Sequence, residues 1–151
     1  MANIDLTLLK KLREETAVSV SDCRNALEEA KGDYKKALEL LKARAAEKAA
    51  KKADRETSEG LIESYIHGNG KMGSLIEILC ETDFVARTDE FKHLAHEIAM
   101  QIVAMNPATV EDLLKQEYIK DGSLTIESLV KQAIQKTGEN IVVKRFIRFA
   151  L

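Results

Sequence analysis

The chain has 151 residues, 45% hydrophobic and 32% charged, with seven Gly and a single Pro, a composition that suits compact globular units and excludes a disordered or fibrous chain. Its net charge of −2 gives no global attraction to polyphosphate, and no apolar run approaches the roughly 18 residues that a membrane span needs. The start, MANIDLTLLKKLREE, has neither the unbroken apolar core nor the cleavage site of a signal peptide, and Asp5, Glu14 and Glu15 argue against a transit peptide, so the expected location is the cytoplasm, although a mature organellar protein would read the same.

Asp5 is suited to cap a helix whose Leu6, Leu8, Leu9 and Leu12 form an apolar stripe ending near Thr16. A second stripe, Val20, Cys23, Ala26, Leu27 and Ala30, stops at Gly32; Asp33 then caps a third with Tyr34, Ala37, Leu38 and Leu41. Short helices joined by tight turns predict a three-helix bundle over residues 1–42, near the lower size limit for independent stability. The next stretch carries six basic residues (Lys42, Arg44, Lys48, Lys51, Lys52, Arg55) against Glu47 and Asp54. High helix propensity without an apolar face predicts a solvated helical extension, and residues 43–57 read as a basic helical linker.

From Ser58 the texture changes. LIESYIH and SLIEILCE are rich in β-branched and aromatic residues, and Gly68-Asn69-Gly70 between them favours a tight type I′ hairpin turn. Thr88 opens a helix with Phe91, Leu94, Ala95, Ile98, Ile102 and Val103 on one face, ended by Asn106-Pro107. Thr109-Val110-Glu111-Asp112 resembles a capping box opening a short helix. Thr125 opens another, lined by Ile126, Leu129, Val130, Ala133 and Ile134 and stopped at Gly138. The tail NIVVKRFIRFAL reads as a final strand. Counting the two longer helices, residues 58–151 are therefore β-β-α-α-β, a small antiparallel sheet with helices on one face, and the chain as a whole is α+β.

Little in this pattern supports catalysis. Gly68 to Gly73 matches GxGxxG, but a phosphate-binding loop must open a helix, and here a strand-like run follows. His96-Glu97 begins an HExxH pattern that fails at Met100, which leaves His93 and His96 as surface or boundary residues. His67 has no visible partner, and Cys23 and Cys80 are too far apart for a CxxC site. No nucleophile signature or P-loop is present, so an enzyme reading has nothing to attach to, and no cofactor or metal is expected. The basic linker lacks interleaved aromatics for stacking on bases, which disfavours nucleic acid. What remains is Thr82-Asp83-Phe84-Val85-Ala86-Arg87, at a junction of strand and helix where functional residues concentrate. Either Phe84 tucks into the core and Asp83 caps the turn, or Phe84 projects and buries in a partner; the pattern alone leaves both open.

Cys80-Glu81 followed by Thr82 to Arg87 resembles a signature of the elongation factor Ts family. Leu12-Arg13, Thr16, Asp22-Cys23 and Ala26-Leu27 resemble its other signature at the same spacing, and Gly138-Glu139-Asn140-Ile141 through Arg145 is a third match. The resemblance implies a ubiquitin-associated-like three-helix domain ahead of an α+β core. It implies a protein partner, elongation factor Tu, and guanine nucleotide exchange without a nucleotide, cofactor or metal of the chain's own. It places the contact at Thr82, Asp83, Phe84, Val85 and Ala86. Asp83 and Phe84 would enter between two helices of the partner's GTPase domain and disturb its magnesium site and phosphate-binding loop, so that GDP leaves. Arg13, Val20 and Ser21 would grip the same domain.

The chain also departs from that family's pattern. Ala17-Val18-Ser19-Val20-Ser21 stands where Gly-Ala-Gly-Met-Met is more usual, so the apolar contact implied there differs. The stretch from Pro107 to Tyr118 is much shorter than in longer members. Ile147 occupies the region where one dimeric short form has a cysteine, which excludes a disulfide dimer by that route. A non-covalent homodimer through the sheet, or a heterotetramer with the partner, stays open. Two other functions compete: a ubiquitin-associated-like binding module on a scaffold core, and an RNA-contacting translation accessory protein using the basic linker.

Overall fold

In the computed structural model, which describes residues 4–151, the first stripe forms α1 (Leu6–Thr16), followed by α2 (Val20–Glu29) and α3 (Tyr34–Lys52). Each start is capped by a side-chain oxygen that accepts an otherwise orphaned amide: Asp5 from Thr7 at 2.8 Å, Ser19 from Asp22 at 3.1 Å and Asp33 from Lys36 at 3.2 Å. Between α2 and α3 the chain turns through Lys31 and Gly32, both at positive φ, and the Gly32 amide closes on the Leu27 carbonyl at 2.8 Å. Leu12, Cys23, Ala26, Leu27, Ala37 and Leu41 form the core of this bundle.

One expectation fails in α3. The sequence predicts that the Ala- and Lys-rich stretch is a solvated extension, yet it continues α3 and buries a face, with Ala45 and Ala49 each 5% exposed. Alanine adds little to an apolar pattern, but a stripe of methyl groups at a spacing of four lets a second helix approach closely.

Strands β1 (Glu59–His67) and β2 (Met72–Cys80) pair antiparallel, and β5 (Ile141–Ala150) pairs antiparallel on the other edge of β2, giving the order β1-β2-β5. The β1–β2 connection is longer than the expected two-residue turn. His67 pairs with Met72, so four residues intervene, and Gly68 and Gly70 take positive φ while Asn69 does not. A type I′ turn needs positive φ at both central positions, so the two glycines rather than the Asn-Gly pair set this loop. Gly60 is required by close approach, because a Cβ there would lie 2.1 Å from the Ile78 carbonyl oxygen.

After β2 come α4 (Asp83–Ala86), α5 (Asp89–Met105), α6 (Val110–Lys115), a two-stranded ribbon of β3 (Glu117–Tyr118) and β4 (Asp121–Thr125), and α7 (Ile126–Thr137). The short α4 and the ribbon were not anticipated, since elements of two to five residues are too brief to show a period. The side of α5 predicted to be apolar covers the sheet, and all six of its predicted residues are buried. Two polar contacts fix α5 on the sheet: the Ser74 hydroxyl donates to the Ala99 carbonyl at 2.7 Å, and Arg148 Nε donates to the Val103 carbonyl at 3.1 Å. The opposite face of the sheet carries exposed Ile62, Ile66, Leu75, Ile147 and Phe149. No helix among the described residues is long and apolar enough to cross a membrane.

Candidate functional site

The strand-to-helix junction after β2 is built on a buried anchor. Cys80 is fully buried at the end of the strand, and its thiol donates to the Thr82 carbonyl at 3.1 Å. Burial, helped by the charge of Glu139, pushes that thiol up to about 11, so it stays protonated and serves as structure. Thr82 is extended and caps α4, its hydroxyl oxygen accepting the Val85 amide at 3.4 Å. Successive helical residues are offset by about 100°. Once Val85 and Ala86 turn inward, at 9% and 8% exposure, Phe84 is thrown to the opposite side and stands 83% exposed. The alternative in which Phe84 tucks into its own core is not what the fold adopts. Asp83, beside it, pairs with Arg87 at 3.1 Å on the surface, an interaction worth only about 0–1 kcal/mol and easily exchanged for a contact elsewhere.

The carboxylate of Glu139 closes this turn from behind. One of its oxygens accepts the backbone amides of Glu81 at 3.1 Å and Thr82 at 3.0 Å, while the other accepts the Thr82 hydroxyl. Glu81 answers by accepting the Asn140 amide at 2.7 Å. In the sequence Glu139 stands only as part of the motif from Gly138 to Arg145, with nothing to give it this role. The only signal available was that motif itself, because the contact spans 57 residues.

The other expected contact residues surround a different turn. Arg13 is exposed in the last turn of α1, where its carbonyl accepts the amide of Ala17, a residue in the left-handed conformation. Val20, 45% exposed, and Ser21, also exposed, open α2 across that turn. Thr16 and Ala17 share a cleft of about 230 Å³ with Glu90, His93 and Leu94 of α5, so the turn faces the helix that follows the Phe84 junction. Thr82 to Ala86 thus form one cluster and Arg13, Val20 and Ser21 another. His67 and His96 both pack against the Tyr65 ring, at 6.0 and 5.5 Å between ring centroids, and His93 lies apart on α5. His93 lies 4.0 Å from Glu97 and His96 3.9 Å from Glu63, while His67 bonds the Tyr65 hydroxyl at 3.0 Å. Among the described residues no three His, Cys, Asp or Glu side chains form a metal-sized cluster. The GxGxxG glycines lie in the hairpin loop and the start of β2, with no helix following.

A family model described as "Elongation factor TS" matches residues 81–151, the segment from the Phe84 junction through the last strand. The elongation factor Ts of Fervidobacterium nodosum is 42% identical over 193 residues, covering 98% of each protein. This chain belongs to the elongation factor Ts family. The elongation factor Ts of Coprothermobacter proteolyticus is also 42% identical, again over 98% of both, and that of Nostoc sp. is 46% identical over 151 residues, which is all of this chain and 48% of the Nostoc protein. The alignment to the Fervidobacterium protein is longer than the 151 residues of this chain, so that elongation factor Ts carries positions with no counterpart here.

Proposed function

We propose that this elongation factor Ts family member is a guanine nucleotide exchange factor that releases GDP from elongation factor Tu by inserting Asp83 and Phe84 beside the partner's magnesium and phosphate site. The observation that carries this reading is Phe84 itself, a large apolar side chain 83% exposed on a turn whose neighbours are anchored in the core. Its burial in a partner would contribute roughly 1.5–3 kcal/mol, which the free protein forgoes. Thr82 sets the turn, Val85 and Ala86 anchor it, and Asp83 can leave Arg87 at little cost. Arg13, Val20 and Ser21 supply a second grip from the α1–α2 turn on the same GTPase domain.

The work is done by linkage rather than by bond chemistry. A factor that binds nucleotide-free partner better than GDP-bound partner weakens GDP binding by the same factor. A magnesium ion in the partner's site would be a large local charge on the diphosphate, so an insertion that displaced it would remove much of that hold. The test is release of a fluorescent GDP analogue from elongation factor Tu at catalytic amounts of this chain. Wild type is expected to accelerate release and Phe84→Ala to lose most of the acceleration while keeping its circular dichroism spectrum. Undiminished acceleration by Phe84→Ala would refute the insertion.

A further inference from the structure

Resting on that reading, we infer that Glu139 is a positioning residue for exchange, aiming Phe84 through Thr82 without touching the partner. A helix of four residues cannot hold its own direction, because nucleating one turn is unfavourable. The direction of α4 is therefore imposed from outside, at its cap and at Val85 and Ala86. The cap is Thr82, and its polar groups are engaged: its amide and hydroxyl hydrogen by Glu139, its carbonyl by the Cys80 thiol and by the Ala86 amide of α4 at 3.3 Å. With its proton directed to Glu139, the Thr82 hydroxyl presents a lone pair to the Val85 amide and starts the helical turn.

Glu139 is itself delivered with precision. Gly138, at φ +77°, ends α7 by closing on the Ile134 carbonyl at 2.9 Å and turns the chain back towards the end of β2. The next residue locks the register, since the Asn140 amide donates to Glu81 and its side-chain amide donates to the Ala53 and Arg55 carbonyls at 3.3 and 3.0 Å. Glu81 and Glu139 thus each accept from the other segment's backbone. Without the carboxylate, the amides of Glu81 and Thr82 turn to water, and the turn carrying Phe84 samples other directions.

The experiment is a double-mutant cycle in the full chain. Nucleotide release and affinity for nucleotide-free elongation factor Tu are measured for wild type, Glu139→Ala, Phe84→Ala and the double variant. Glu139→Ala is expected to lower both by about tenfold or more, and to lower affinity no further once Phe84 is absent, because coupled residues fail to add. Glu139→Gln, which keeps one acceptor oxygen for the two amides but presents N–H groups to the Thr82 hydroxyl, should fall between wild type and Glu139→Ala. It also carries the test if the alanine variant does not fold. Equal losses on both backgrounds would assign Glu139 a general structural role and overturn the inference. So would wild-type exchange by Glu139→Ala alongside a defective Phe84→Ala. Wild-type exchange by Phe84→Ala would instead sink the insertion on which the inference rests.

Discussion

Phe84 and Phe91 are the same residue type seven positions apart, yet one is 83% exposed and the other 1%. Phe91 sits inside the main core beneath α5, where removing the ring leaves a cavity, so Phe91→Ala should cost about 3–5 kcal/mol. Phe84→Ala removes a side chain that has little to lose from the folded state, so its effect should stay within about 0.5 kcal/mol. Urea denaturation of the two variants separates these cases, and a Phe84→Ala midpoint well below wild type would show that the ring contributes to this chain's own fold. The contrast was not legible in the sequence. Phe91 belongs to a long stripe whose period fixes its inward face, whereas the four residues of α4 have no period to read. The direction of Phe84 follows from the burial of Val85 and Ala86 and from a carboxylate 57 residues away, both tertiary facts.

The longer helices were readable because each combines a cap with a sustained pattern, α5 with Thr88 and α7 with Thr125 and Gly138, and β5 was readable by its dense β-branched run. The β3–β4 ribbon escaped because it is held by side chains of α5 rather than by its own pattern. Gln101 donates to the Glu117 carbonyl at 3.0 Å and accepts the Ile119 amide at 3.0 Å, and buried Glu97 accepts from the Tyr118 hydroxyl and from Lys120 at 2.7 Å. Burial alone would raise the Glu97 carboxyl, but the hydrogen bonds of Lys120 and Tyr118 and the Lys120 charge outweigh it and hold the group below its ordinary 4.5. A carboxyl lowered on folding contributes stability above its unfolded pKa and loses it as pH falls through the folded value. Wild type should therefore lose stability on acidification below 4.5 more steeply than Glu97→Gln, which should already be weaker at neutral pH. Urea midpoints at neutral and acid pH test this. Parallel acid slopes for the two proteins would show that the ribbon anchor does not depend on the Glu97 charge.

At the scale of the whole molecule, α3 is the element that joins the two hydrophobic cores. Its first half places Ala37 and Leu41 in the core of the three-helix bundle, and its second half places Ala49 in the core beneath the sheet, beside Val130 and Ile134 of α7. Lys48 approaches Asp22 of α2 at 3.8 Å, and Arg55, just beyond α3, approaches Glu81 at 3.5 Å, so charge ties α3 to the bundle and the residues after it to the end of β2. A continuous helix with a face in each core transmits order between them, and unfolding of the described chain should be a single cooperative transition. Ala49→Asp puts a carboxylate into the seam, where the neighbouring groove is lined by Ala46, Ala50, Val130 and Ile134 and its one lysine, Lys131, is already paired with Glu127 at 3.2 Å. The variant should lose about 3 kcal/mol and, because the bundle keeps its own core, separate the calorimetric trace into two transitions. The same seam sets the spacing between the α1–α2 turn and Phe84, the two grips of the proposed exchange. Ala49→Asp should therefore weaken binding to nucleotide-free elongation factor Tu more than either grip's local structure would suggest, by making one rigid two-point ligand into two tethered ones. One unsplit transition at the wild-type temperature would show that the helix passes the second core without bracing it.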